Sequence, residues 1–266
     1  QIATGTQHMR SSSRPSGGYF SVPPAEVKAY PELLRREGYY TYTDAKLDYQ
    51  FSGALSGSGP TTIWNREGAQ AGDWSRRAKG QPFFGLINFM VTHESGIFPP
   101  LGDRPQSPIH FAMQLARWWQ LEDPVPEMVQ AADVQLPPYY PDTNTVRDDL
   151  ARHYNNIAAM DRQVGDILAR LEADGLADST IVIWTADHGD GLPRAKRELF
   201  DSGIHVPMII RWPRAYRPAG VLPGQIESHM ISLIDLAPTI LTLAGAPVPE
   251  YMQGRSFLPG AGLPRQ

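Results

Sequence analysis

Cysteine is absent from all 266 residues. That excludes disulfides, thiolate metal sites and a cysteine nucleophile within them. Long apolar runs are absent too: no stretch approaches the roughly 18 residues that span a bilayer. Charge of one sign is not in excess, with 24 Lys and Arg against 28 Asp and Glu, a net charge of -4. The whole-molecule field therefore offers nothing for nucleic acid or an anionic membrane surface, and an anionic substrate must be held by local cations. No unit of 20–50 residues recurs, which argues against a solenoid or propeller. The opening residues QIATGTQHMR have no apolar signal core and do not begin with Met. Together with the ending AGLPRQ, they give the expectation of one domain, residues 1–266, cut short at both ends.

What is present alternates between helical and strand-like segments, the pattern of an α/β layer fold. A helix is expected over Pro24–Glu37, stopped by Gly38, with the aromatic and β-branched run Tyr39–Thr43 after it. Phe83–Val91 reads as a buried strand. Residues 98–142 are Pro-rich and mostly irregular, with a short helix around Phe111–Leu121. The clearest helix covers Val146–Ala173, where Leu150, Tyr154, Ile157, Met160, Val164, Ile167, Leu168 and Leu171 recur at three- and four-residue steps. Thr145 and Asp148 are its expected caps, and Gly175 its stop. Thr180–Ala186 is nearly continuous in β-formers and reads as a central parallel strand. Val206–Trp212 is a further strand, and Ser232–Ala244 a further helix.

The segment Thr185-Ala-Asp-His-Gly-Asp190 holds the most chemistry. A strand ends here in Asp187 and His188, followed by Gly189 and Gly191, and open α/β sheets bind ligands at the carboxyl ends of strands. Carboxylate and imidazole both ligate divalent metals, and glycines admit an ion or anion close to the backbone. The plainer alternative makes Asp187 a cap and His188 a loop residue. Lys196, nine positions after Asp187, can pair with the oxygens of a sulfate or phosphate ester, or be a solvated charge.

This order of features resembles the sulfatase family of the alkaline-phosphatase superfamily: strand, Asp-His-Gly, Lys, then Asp-Ser-Gly-Ile-x-Val-Pro, a strand and Arg-Trp-Pro. Four further segments fit in sequence: LLRREGYYTYTDAK at 33–46, FFGLINFMVTHES at 83–95, PPYYPDT at 137–143 with its helix, and DLAPTI at 235–240 with Gln253-Gly-Arg255. The resemblance implies an α/β alkaline-phosphatase-like fold, with a mixed, mostly parallel sheet flanked by helices on both faces. It implies Asp187 and His188 as metal ligands, Lys46 and Lys196 as sulfate contacts, and His93 as a donor to the sulfate or the leaving group. The metal implied is calcium, although an imidazole ligand suits zinc or manganese better. The implied nucleophile is a formylglycine hydrate made from Cys or Ser, expected upstream of residue 1.

The chain departs from that pattern in three respects. The family's Cys/Ser-x-Pro/Ala-Ser-Arg motif is not in it; Gly5–Ser11 matches a stretch that follows the motif, so these residues alone are expected to be inactive. Asp48 stands where many members have histidine, a Lys-x-Asp-Tyr form similar to heparan N-sulfatases and their bacterial relatives. His205 occupies a place where arginine is expected. The resemblance therefore implies metal-dependent hydrolysis of a sulfate ester or sulfamate, on a sulfated sugar or small molecule, in a periplasmic or secreted protein. A phosphomonoester or phosphodiester hydrolase on the same scaffold, or a non-catalytic relative, remains the alternative. His8, His110, His153 and His229 are expected to be structural or surface groups.

Overall fold

The computed structural model describes residues 24–47, 63–98, 101–102, 104–105, 107–120 and 128–260. Its elements, in chain order, are α1 (Tyr30–Arg36), β1 (Tyr40–Thr43), β2 (Arg66–Glu67), β3 (Phe83–Leu86), α2 (Pro108–Gln120), α3 (Asn144–Ala173), β4 (Val182–Thr185), α4 (Asp201–Ile204), β5 (Met208–Arg211) and α5 (Leu236–Leu243), with short 3₁₀ turns between them. They fall into two compact units, residues 1–88 with 218–266, and residues 89–217. Asp48, His8 and Gly5–Ser11 lie outside the described residues.

The first unit is a parallel sheet with helices against it. β1 is central: Tyr42 aligns with Arg66 of β2 on one side, and Tyr40 through Thr43 align with Phe83 through Leu86 on the other. All four β1 residues are buried, as a central strand requires. Tyr30 and Leu34 of α1 pack with Ala237 and Leu241 of α5, Ala246 and Met252. Phe84 meets this cluster edge-on at Tyr30, 5.2 Å between ring centroids, and stacks on Trp64 at 5.9 Å.

The expected helix over 232–244 begins as a 3₁₀ turn, Leu233–Asp235, before α5. Asp235, 3% exposed, ties this corner together. Its Oδ2 accepts the Ser232 N–H and its Oδ1 the Arg255 N–H, each at 2.8 Å. The two segments singled out in the sequence, DLAPTI and Gln-Gly-Arg, are thus one hydrogen-bonded unit. Its tightness demands glycine at 254, because a Cβ there would lie 2.0 Å from the Ile234 carbonyl oxygen. Asp235→Ala leaves two partly buried N–H donors without their acceptor, and its expected cost is about 1–3 kcal/mol of stability. Denaturant unfolding of the 266-residue chain checks this, and a loss below about 1 kcal/mol would contradict it.

The second unit is organised by α3. Thr143, not Thr145, caps it, its hydroxyl accepting the Val146 N–H at 3.3 Å. Val91, Ala159 and Met160 pack with Phe89, Val164 and Trp184; Val134 packs with Leu150 and Ala151. The helix departs from its expected apolar face, for Tyr154 and Ile157 are exposed, while His153, Asn155 and Asn156 are buried. The buried amides earn their place by satisfying loop backbone. Asn155 accepts the Met128 and Val129 N–H groups, both at 2.9 Å, and Asn156 donates to the Gly96 carbonyl at 3.0 Å.

β4 pairs with β5, antiparallel, from Val182↔Arg211 to Thr185↔Met208. The expectation of a central parallel strand at 180–186 is corrected in this pairing: β4 is only half-buried, and a run of β-formers does not record the direction of its neighbour. The expected strand 83–91 is also shorter. It ends at Leu86, and 3₁₀ turns over Met90–Thr92 and Glu94–Ile97 follow. Among the described residues no helix is long and apolar enough to cross a membrane.

Candidate active site

In the second unit two loops carry four of the five expected site residues. One is the pair of 3₁₀ turns after β3. His93 sits at their break, closing the first turn and opening the second, with φ -59° and ψ 149°. Its Nδ1 accepts the Ser95 N–H at 3.3 Å and lies 2.8 Å from the Ser95 hydroxyl. An amide N–H can only donate, so Nδ1 carries the lone pair in this arrangement and the ring proton is on Nε2. His93 is thereby a hydrogen-bond donor through Nε2.

The other loop follows β4. His188 Nδ1 lies 2.8 Å from the Gly189 carbonyl, which can only accept, so Nδ1 holds a proton and Nε2 is the nitrogen left to face a partner. That nitrogen is 3.4 Å from Asp187 Oδ1. Two acceptors that face each other in this way repel unless a proton or a cation lies between them. The donor set, one carboxylate oxygen and one imidazole nitrogen, fits a divalent cation as part of a ligand set. Among the described residues no group of three or more such side chains comes together.

The loop then folds back on itself. The Lys196 N–H bonds the Asp190 carbonyl at 2.9 Å, and the Gly189 N–H bonds the Gly203 carbonyl at 3.0 Å. His153, expected to be structural, reaches from α3 to Asp190 (Nε2 to Oδ1 3.2 Å), and its hydrogen bond holds that carboxyl below the usual range. Arg194 lies between two rings, 4.1 Å from Phe200 and 4.8 Å from Tyr139. Tyr140 donates to the Pro193 carbonyl at 2.7 Å, and burial pushes its hydroxyl up to about 12, so it remains a donor. His205 is exposed, 3.4 Å from Asp201, and α4 gives it no inward role.

A carboxylate that the sequence reading passed over joins the two loops. Glu94, next to His93, accepts both guanidinium N–H groups of Arg197 at 2.9 and 2.8 Å, and its Oε2 is 3.3 Å from Lys196 Nζ. Lys196 is only 16% exposed, so it is no solvated surface charge. The structure thus brings Lys196 beside the turn that bears His93, and sets Asp187 against His188.

The Arg197 hydrogen bonds, with Lys196 beside them, lower Glu94 from a usual value near 4.5 to about 2. A lowered carboxylate contributes stability in full above its unfolded value and loses it as pH falls through the folded one. The stability gap between the native protein and Glu94→Gln should therefore be constant above about pH 5 and close between about 4.5 and 2. Acid titration of denaturant stability measures this; a gap independent of pH would mean that the carboxylate charge contributes nothing.

Lys46, the fifth residue, belongs to the first unit. It is exposed, three residues beyond the end of β1 at Thr43, and takes a left-handed backbone, φ 58°, uncommon for a lysine. Asp44 and Ala45 hold this turn: Asp44 Oδ1 accepts the Asn88 N–H at 3.0 Å, and the Asn88 amide donates to the Ala45 carbonyl at 3.2 Å.

A family model described as Sulfatase matches residues 1–246. The chain is 38% identical over 271 residues to an ulvan-active sulfatase of Formosa agariphila, covering 96% of this chain and 44% of that protein. It is 32% identical over 189 residues to N-sulphoglucosamine sulphohydrolase of Homo sapiens, covering 67% and 36%. A solved structure in complex with D-glucosamine-2-N,6-O-disulfate is similar with a TM-score of 0.59 at 16% identity, over 98% of this chain and 69% of that one. The fold class is accordingly the α/β, alkaline-phosphatase-like one expected from the sequence. The chain spans less than half the length of those two curated relatives.

Proposed function

We propose that this chain, which belongs to the sulfatase family, is the part of a sulfuric ester hydrolase that binds and polarises the sulfuryl group of a sulfated glycan. The observation that carries this reading is the contact of Lys196 with Glu94, which sets a half-sheltered ammonium beside the turn bearing His93. The glycan class is suggested by the relatives, one an ulvan-active sulfatase and one an N-sulphoglucosamine sulphohydrolase. Sulfate esters and sulfamates are both within this reading.

In this proposal Lys196 binds a non-bridging sulfuryl oxygen and offsets the charge that grows there in the transition state. His93 donates its Nε2 proton to the leaving oxygen or nitrogen, and Ser95 keeps the ring in that tautomer. Lys46 is a second sulfate contact, as the resemblance implies. Asp187 and His188 hold a divalent cation through Oδ1 and Nε2. Such a cation, calcium by the resemblance, would polarise the sulfate, and a formylglycine outside these 266 residues would supply the attacking oxygen. The chain carries no nucleophile motif of its own, so we expect negligible turnover from the 266 residues alone.

The test uses the full-length protein with calcium and a panel of O- and N-sulfated mono- and oligosaccharides, with inorganic sulfate measured by ion chromatography. Stoichiometric sulfate release with desulfated sugar is the expected result. Sugars returned with their sulfate intact across the panel would overturn the reading.

A further inference from the structure

Lys196 is a cation with a carboxylate beside it, and a cation fully neutralised by its own protein is a poor anion ligand. The geometry around Glu94 resolves this. Arg197 engages the carboxylate as a fork, one N–H to each oxygen, at 2.9 and 2.8 Å. Lys196 is left with one longer contact, 3.3 Å, to the Oε2 that Arg197 already occupies. Among the described residues its ammonium has no other partner, which leaves two of its three N–H donors for a ligand. Taken together, the two cations and one carboxylate carry a net charge of +1.

The loop is shaped for this. Adjacent residues usually send their side chains apart, yet Lys196 and Arg197 reach the same carboxylate. Arg197 takes a left-handed backbone to do so, φ 73°, a conformation unfavourable for a non-glycine residue that persists only where its surroundings impose it. Exposure is divided in the same sense: Arg197 is 68% exposed and covers the outer side, while Lys196 and Glu94 are 16% and 22% exposed. The loop is also pressed onto Glu94 itself. A Cβ at Gly191 would lie 2.4 Å from Glu94 Cβ and 2.7 Å from its Cα, so only glycine fits between.

We infer that Glu94 is the positioning residue for Lys196, and that Arg197 is its foil, occupying the carboxylate so that the lysine keeps its charge for the sulfuryl group. This inference rests on the proposed function, since it assigns Lys196 to an anion. It predicts an unusual dependence. Arg197 matters for sulfate binding only while Glu94 is a carboxylate.

The experiment is a double-mutant cycle in the full-length protein with Arg197→Ala, Glu94→Gln and both together. Two quantities are read: the affinity for inorganic sulfate by calorimetry, and the split of kcat and KM on a sulfated saccharide. With Arg197 gone, Glu94 captures Lys196, and sulfate affinity should fall roughly ten-fold with a matching rise in KM. Glu94→Gln leaves the lysine charged but loosely held, so kcat should fall more than sulfate affinity does. In the Glu94→Gln background, Arg197→Ala should change sulfate affinity less than about two-fold. A merely structural role gives the opposite pattern: equal losses from Arg197→Ala in both backgrounds, tracking the melting temperature, and that result would overturn the inference. Wild-type protein that releases no sulfate from saccharides but shows the coupled sulfate affinities would refute the proposed function and leave the positioning role standing. Protein that binds no inorganic sulfate refutes the positioning role.

Discussion

Replacing Lys196 by alanine should lower kcat/KM of the full-length protein on a sulfated saccharide by roughly 100- to 1000-fold, the loss typical when one preorganised donor to a developing anion is removed. The size follows from placement. The lysine is largely sheltered, in a loop fixed at Asp190 and pinned by the Tyr140 and Arg194 contacts, so its ammonium is held in place. Lys196→Arg should recover only part of the loss, because a planar fork cannot reproduce a point charge beside Glu94. Lys79→Ala, at an exposed position of the first unit, should leave the kinetics within two-fold and serves as the control. Full activity in Lys196→Ala would remove this residue from the site.

The second large effect concerns Asp187 and His188. Stripping the full-length protein with a chelator should abolish measurable sulfate release, and added calcium should restore it. Asp187→Asn and His188→Ala should each weaken calcium binding by at least about ten-fold, read by calorimetry apart from any turnover. The physical basis is the facing pair, His188 Nε2 set 3.4 Å from a carboxylate oxygen, which a cation can bridge. Calcium affinity unchanged in both variants would show that these two residues hold no cation, and the plainer role of cap and loop residue would then apply.

The sequence made the chemistry at the end of β4 legible because Asp, His and Gly follow a run of β-formers, a local signal. Glu94 lies within the segment FFGLINFMVTHES, yet nothing beside it in the sequence signals its role, since its partners lie about one hundred residues away. His153, Asn155 and Asn156 were hidden for another reason. Hydrophobic periodicity finds faces buried against apolar neighbours, and this face of α3 is buried against loop backbone that needs hydrogen bonds. The direction of β4 was equally out of reach, because pairing with β5 is decided by how the chain returns and not by the composition of either strand. The helices fared better: α1 and α5 lie inside their expected ranges and α3 begins two residues before its own, because capping residues and glycine stops act within a few residues of each other.

The most direct test of the account compares a sulfate monoester and a phosphate monoester of the same alcohol, 4-nitrophenol, with the full-length protein and calcium. The two differ in charge and central atom but not in leaving group, so the ratio of kcat/KM reports the transferred group alone. The net charge of +1 carried by Lys196, Arg197 and Glu94 matches the monoanionic sulfate ester better than the dianionic phosphate ester, and predicts a preference for sulfate of about 100-fold or more. A preference for the phosphate ester would contradict it and assign this scaffold to phosphoryl transfer.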